Sequence, residues 1–163
     1  MANYPLSTLL DLRQHRLDDA QRATVAQRLI VQKQVEKVQS LKEELVRREA
    51  EGEKHIALIY EEIMNTLIPK DSMGEHMGKI RTIYSELEEF KLTISQAEQE
   101  LSKAQELLKH KEQEQLSCTQ ALAKLEKHQE MWLTATKQEQ ERLAELEMEE
   151  FTPRTLPQDN MED

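Results

Sequence analysis

Apolar residues recur at alternating intervals of three and four along most of the chain, a spacing that predicts long α-helices packed as a coiled coil. The second half shows the pattern most clearly. A strict count from Ile80 visits these positions: Ile80, Ile83, Leu87, Phe90, Ile94, Ala97, Leu101, Ala104 and Leu108. The count then meets Lys111 and Gln115, and it resumes from Cys118 to Leu146. A seven-residue repeat sustained over this length predicts a left-handed supercoil.

The first half carries a narrower apolar stripe. Its positions are Val31, Val35, Val38, Leu41, Leu45, Gly52, Ile56, Ile59, Ile63 and Leu67. Before Val31 the stripe is poorer, since Leu10, Leu17, Ala20 and Thr24 are followed by a slot that only Gln27 or Arg28 can fill. We therefore expect the packing to be weakest where Thr24 and Gln27 would meet Lys111 and Gln115, because a buried Leu or Ile contributes about 1.5–3 kcal/mol and these residues contribute less.

One strong break interrupts the helical pattern, between Leu67 and Glu75. Proline cannot continue a helix, and Ser72-x-x-Glu75 has the form of a capping box that opens a new one. A turn this short makes the second helix fold back along the first. We predict an all-α fold in which residues 1–151 form an antiparallel coiled-coil hairpin: helix 1 over about 6–68, a turn over 69–74, and helix 2 over about 75–151. Residues 152–163 are expected to form a flexible, disordered acidic tail.

Folding back at this turn predicts a register between the helices. Placing Leu67 near Met77 gives these opposed pairs: Ile63 with Ile80, Ile56 with Leu87, Gly52 with Phe90, Val35 with Leu108, Leu17 with Leu125, and Leu10 with Trp132. A glycine inside a helix costs about 1 kcal/mol relative to alanine. We expect that cost at Gly52 because the missing side chain leaves room for the Phe90 ring.

Composition and charge narrow the class of protein. A third of the residues are charged and only 4% are aromatic, which is typical of long solvated helices and not of a thick globular core. The net charge of −10 makes nucleic acid an unsuitable partner, since phosphate contacts need clustered Lys and Arg. The sequence has no long apolar run, so we expect no direct membrane insertion. The single cysteine, Cys118, cannot form an internal disulfide, which fits a reducing, cytoplasmic location.

The sequence contains no pattern of an enzyme site. The five histidines never share the i, i+4 spacing of a helical metal site, and no glycine-rich phosphate loop occurs. Carboxylates on an exposed helix remain ordinary ionised groups without the burial that catalysis requires, and Cys118 stands on the apolar stripe as a small core residue. We therefore predict no enzymatic activity and no catalytic, cofactor-binding or metal-binding residue.

Two surfaces are candidates for binding other proteins. The first is the start of helix 1, where arginines cluster (Arg13, Arg16, Arg22 and Arg28) and where Leu9 and Leu12 lie off the predicted seam. The second surrounds the turn: Tyr60, Met64, Met73, Met77 and Tyr84. Methionine-rich and aromatic surfaces suit adaptable protein contacts, although these residues could equally plug the end of the hairpin. From the residues alone, a solvated face paired with Asp18 and Asp19 is slightly favoured for the arginines.

The two ends of the chain resemble the YscO/FliJ-type stalk proteins of type III secretion. The segment YPLSTLLDLRQHRLDDA, residues 4–20, looks like the opening of these proteins, and length, the central turn and the charged composition extend the resemblance over nearly the whole chain. The segment KHQEMW at 127–132 and the run KQEQER at 137–142 are similar to the region near the C-terminus of these proteins. The Tyr-Pro-Leu opening places the chain nearest the YscO-like virulence branch.

The resemblance implies an antiparallel two-helix stalk, monomeric in isolation, that couples ATP hydrolysis to protein export. Its open end would sit in the pore of the hexameric secretion ATPase, and its turn would reach the cytoplasmic ring of the export gate, peripheral to the inner membrane. Secretion chaperones and the needle-length regulator are further implied partners. The ATPase-facing positions would be Leu9, Leu12, Arg13, Arg16, Trp132 and Arg142. The gate or chaperone contacts would be Tyr60, Met64, Met73, Met77 and Tyr84.

Two other interpretations stay open at this level. A generic structural coiled coil, such as a parallel dimer of extended helices, would fit the composition, but the break between Pro69 and Gly74 argues against it. A holdase chaperone of the prefoldin kind would need strands beside the helices, and no alternating strand pattern is present.

Overall fold

The computed structural model describes residues 3–67 and 69–151. It contains two helices, α1 over Ser7–Asn65 and α2 over Lys70–Phe151, and the described residues include no strand. At the start of α1, the Ser7 N–H donates to the Tyr4 carbonyl at 3.2 Å. The predicted all-α fold of two long helices packed as an antiparallel coiled coil is confirmed.

The connection between the helices is shorter than the sequence predicted. α1 ends at Asn65 and α2 begins at Lys70, so the predicted turn at 69–74 was wrong: residues 70–74 belong to α2. Ser72 is therefore not an N-cap, and its N–H donates to the Pro69 carbonyl at 2.9 Å inside the first turn of the helix. A proline at the start of a helix sacrifices no intrahelical hydrogen bond, which explains how α2 begins directly behind Pro69. The predicted tail, 152–163, lies outside the described residues.

The helices divide into two compact units, which we describe separately. The turn unit comprises Ala20–Gln115, and the terminal unit comprises the described residues of Met1–Asp19 and Leu116–Asp163. Apolar residues at predicted stripe positions form the core of the turn unit: Val38, Ile59, Ile80, Ile94 and Ala97 are all buried. In the terminal unit the buried apolar residues are Tyr4, Leu17 and Leu122.

Ion pairs in the turn unit show that α1 and α2 run antiparallel. They are Arg28–Glu112 at 2.9 Å, Lys37–Glu100 at 3.2 Å, Lys42–Glu98 at 2.7 Å and Glu49–Lys91 at 3.7 Å. The α1 numbers rise as the α2 numbers fall. Because each pair is about half exposed, each adds at most about 1 kcal/mol of stability. Opposed charges of this kind mainly select one pairing of the helices over others.

The register in the turn unit differs from the predicted one by about one helical turn. A Cβ at Gly52 would lie 3.2 Å from Ile83 Cγ2 and 3.6 Å from Leu87 Cδ1, so Gly52 does not face Phe90 as predicted. The Phe90 ring instead lies under the Arg48 guanidinium, and its centroid is 4.1 Å from Arg48 Cζ. The earlier start of α2 is the cause, since it changes which α2 residues lie beside a given α1 residue.

A buried polar layer replaces the apolar stripe where the sequence predicted weak packing. Thr24 is 1% exposed and Gln27 is 6% exposed. The Thr24 hydroxyl donates to the Ala20 carbonyl at 2.9 Å and lies 3.4 Å from the Lys111 carbonyl on α2. The Gln27 side-chain N–H donates to the Ala104 carbonyl at 3.0 Å. Buried polar groups need such partners, and here α1 itself supplies the acceptor for Thr24 while α2 supplies the acceptor for Gln27.

Gly52 and Gly78 have different surroundings, so replacing each of them by leucine should change the free energy of unfolding in opposite directions. Gly52→Leu should lower the free energy of unfolding by about 1–3 kcal/mol, because the new side chain overpacks Ile83 and Leu87. Gly78→Leu is the matched control, since a Cβ at Gly78 meets nothing within 4 Å. It should raise stability by up to about 1 kcal/mol through helix propensity. Urea denaturation measures both; equal shifts at the two positions would contradict the observed register.

The polar layer predicts uneven local stability within the turn unit. Amides at 24–28 should exchange with solvent faster than those at 56–63, because a buried hydrogen bond contributes about 0.5–1.5 kcal/mol and a buried Leu or Ile contributes more. Gln27→Leu should slow exchange around 24–28 and leave 56–63 unchanged. Hydrogen–deuterium exchange measures both effects, and equal protection of the two segments in the original chain would refute the prediction.

Candidate partner-binding surfaces

Three aromatic rings tie the start of the chain to α2 in the terminal unit. The Tyr4 ring packs edge-on against Trp132, with 5.6 Å between centroids and an angle of 62° between the planes. It also lies 5.8 Å from the His128 ring, and the Tyr4 hydroxyl oxygen is 2.6 Å from His128 Nδ1, within hydrogen-bond distance. We call this arrangement the Tyr4 clasp. It places Tyr4, and not Leu10 as the predicted register had it, beside Trp132.

A groove of about 470 Å³ lies beside the clasp, also within the terminal unit. We call it the terminal groove. Its lining comprises apolar residues (Leu6, Leu9, Ala121 and Leu125), basic residues (Arg13, Lys124 and His128) and neutral polar residues (Ser117 and Gln120). No carboxylate is present in that lining, although the chain as a whole carries a net charge of −10. The groove therefore offers an apolar floor with cationic side chains, which suits an acidic amphipathic segment.

The structure brings some of the predicted ATPase-facing residues together. Leu9 and half-buried Arg13 line the terminal groove. Leu12 and Arg16 are exposed on the same helix. Trp132 is half-buried against Tyr4, so much of its ring is already engaged within the chain.

Arg142 is different, because it lies further along α2 and does not line the groove. Its guanidinium donates to Glu139 through two hydrogen bonds of 3.0 and 2.7 Å. The Arg142 hydrogen bonds hold the pKa of Glu139 below its usual value, and the same hydrogen bonds raise the pKa of Arg142. Any partner that binds Arg142 must compete with this local pair.

The residues predicted around the turn lie on the surface of the turn unit. All five are exposed: Tyr60, Met64, Met73, Met77 and Tyr84. Met64 is 83% exposed, and Leu58 adds a further exposed apolar side chain. Side chains that plugged the end of the helix pair would be covered, so this exposure favours the contact-surface interpretation. The contact itself stays a prediction.

Other kinds of site find no support in the part of the chain that the structure describes. No group of three or more His, Cys, Asp or Glu residues is placed to hold a metal ion. Neither α1 nor α2 has a stretch apolar enough to cross a membrane. Cys118 is a free, half-buried thiol.

Comparison with models of protein families identifies one family. The model of the YscO-like protein family matches residues 1–155, which is nearly the whole chain. A search of curated proteins gives no match.

Two solved structures share the fold. The type III secretion protein YscO from Vibrio parahaemolyticus superposes with a TM-score of 0.81 at 20% identity, covering 90% of this chain and 92% of that one. A candidate YscO homologue from Chlamydia trachomatis gives a TM-score of 0.79 at 21% identity, covering 92% of both chains. At such low identity, these two matches show the fold alone.

The Tyr4 clasp predicts a measurable change at Trp132, the single tryptophan. Tyr4→Ala should lower the free energy of unfolding by about 2–4 kcal/mol and shift Trp132 fluorescence to longer wavelength, because a buried ring is lost and Trp132 becomes more exposed. Tyr4→Phe is the control: it removes only the hydrogen bond to His128 and should cost about 0.5–1.5 kcal/mol. Unchanged Trp132 emission in Tyr4→Ala would show that the clasp does not form in solution.

Proposed function

Since the chain belongs to the YscO-like family, we propose that it is a non-catalytic stalk of a type III secretion system. In this proposal it links the hexameric secretion ATPase to the export gate and couples ATP hydrolysis to protein export. The observation that carries the proposal is the family match over residues 1–155, supported by the fold shared with a type III secretion protein from Vibrio parahaemolyticus. The stalk would act in the cytoplasm, beside the inner-membrane apparatus.

The helix pair is physically suited to such a role. A stalk must transmit position or torque, and two helices packed along a seam are stiffer than one. Its contacts with a cycling ATPase must also exchange as the subunits change state. Exposed charged side chains suit that exchange, because ion pairs at an exposed surface add little affinity while guiding orientation and encounter.

We assign the ATPase contact to the terminal unit. Leu9, Leu12, Arg13 and Arg16 present two apolar and two basic side chains on the first turns of α1. The Tyr4 clasp supports this surface by fixing the chain before α1 against α2. Trp132 would then act mainly through the clasp, and Arg142 would contribute only a peripheral contact because Glu139 already occupies it.

We assign the export-gate contact to the exposed surface of the turn unit formed by Tyr60, Met64, Met73, Met77 and Tyr84. Flexible methionine side chains adapt to more than one partner shape. The same surface therefore also suits secretion chaperones or the needle-length regulator, which would bind there in turn.

Two variants separate the two assignments. Arg13→Glu with Arg16→Glu should weaken binding to the cognate secretion ATPase, and its stimulation, by about tenfold or more, because two attractive charges become repulsive. Binding to the cytoplasmic domain of the export gate should not change. Met64→Glu with Met73→Glu should give the reverse pattern. Pull-down assays and ATPase rates measure these effects, with circular dichroism to check helicity.

The control for the arginine variant is Lys33→Glu with Lys103→Glu, which makes the same change in net charge at exposed positions of the turn unit. It should leave ATPase binding intact. If the arginine variant and this control behave alike, Arg13 and Arg16 have no specific role. If the original chain binds neither the ATPase nor the gate domain, the stalk proposal fails.

A further inference from the structure

The end of α2 continues the packing pattern beyond the place where α1 accompanies it. Tyr4 already lies beside Trp132, and Asn3 is the only described residue before it. Leu143 and Leu146 stand at three-four positions counted on from Trp132, and they are 47% and 44% exposed. We call residues 137–151 the α2 overhang. In the described part of the chain, its leucines have no α1 residues to pack against.

The α2 overhang is strongly acidic. It carries six carboxylates (Glu139, Glu141, Glu145, Glu147, Glu149 and Glu150) against two cations, Lys137 and Arg142. The terminal groove has the opposite character, since the cations Arg13 and Lys124 line it together with Leu6 and Leu9. The terminal unit thus carries both an acidic helix with exposed leucines and a basic groove with an apolar floor.

The α2 overhang is also long enough to cover the groove. On α2 the groove lining spans 117–128, and the last part of the overhang, 140–151, has the same number of residues. At 1.5 Å per residue, each is about 18 Å long. The overhang cannot fill the groove of its own chain, because α2 is one continuous helix from Lys70 to Phe151 and carries the overhang away from that groove.

We propose that two copies of this chain associate reversibly, with the α2 overhang of each docked in the terminal groove of the other. The α2 helices of the two copies then lie antiparallel, and the contact is used twice around a two-fold axis, so the assembly closes as a dimer. Although each copy carries a net charge of −10, charges further apart than about 8 Å are screened at physiological salt. The attraction between opposite charges at the docked surfaces therefore outweighs the repulsion between the two acidic copies.

This inference goes beyond the stalk role. Docking would cover Leu9 and Arg13, so a dimeric chain could not offer them to an ATPase. Association would be weak enough for the chain to be a monomer when dilute. The dimer would then be a storage form that gives way to the working monomer when a partner competes for the same surface.

Charge reversal tests the proposal with the full chain in sedimentation velocity runs, from low micromolar to hundreds of micromolar. The original chain should show a monomer–dimer equilibrium. A groove variant, Arg13→Glu with Lys124→Glu, and an overhang variant, Glu145→Lys with Glu147→Lys, should each raise the dissociation constant by about tenfold or more. An equimolar mixture of the two variants should dimerise again, because both docked contacts then pair opposite charges.

Lys33→Glu with Lys103→Glu is the control, and it should dimerise like the original chain. A milder overhang variant, Glu145→Gln with Glu147→Gln, tests the same contact if the reversed helix is not fully folded by circular dichroism; it should also weaken association. A chain that stays monomeric throughout, or a mixture no better than its components, would overturn the proposal. An effect of the groove variant without any effect of the overhang variants would also overturn it, since the groove would then hold another occupant.

Discussion

A narrow apolar seam between α1 and α2 is the interaction on which the rest of the structure depends. In the turn unit it is formed by single buried side chains at intervals of three and four, such as Val38, Ile59 and Ile94. Long helices in water gain most of their stability from packing, and this seam is where α1 and α2 pack. Because the seam occupies so little of each helix, most of the surface stays exposed and charged. The architecture that stabilises the chain therefore also leaves it available to partners.

The seam alone does not determine which residues face each other, because an apolar stripe can slide by one turn and still be buried. Three other features act on the register of the turn unit. The short connection between Asn65 and Lys70 limits where α2 can begin. The buried Gln27 side chain donates to the Ala104 carbonyl on α2, and sliding would leave this amide without its partner. The absence of a side chain at Gly52 admits Ile83 and Leu87 at close range.

The helices and their buried faces could be predicted from the sequence, because local periodicity determines them. The helix start and the pairing between the helices could not, because they depend on single backbone groups and on residues far apart in the chain. The stripe from Ile80 to Leu108 predicted the helix and its buried face, because the three-four spacing of its apolar residues is visible in the sequence. Pro69 was correctly identified as a break, but Ser72 and Glu75 suggested a cap that the structure does not use. That error moved the start of α2 and shifted the register. The Tyr4 clasp joins residues more than a hundred positions apart, and no local pattern signals such a pair.

The terminal unit shows how a pair of helices can present surfaces of different character. A coiled coil offers only helix faces, and similar faces recur along its length. Here the faces are made distinct by charge: the lining of the terminal groove includes Arg13 and Lys124 and no carboxylate, and the α2 overhang is rich in glutamate. A net charge of −10 would favour basic partners everywhere, so a basic groove marks one place where an acidic segment is preferred. Because its lining is partly exposed, an acidic segment that bound there should be readily released.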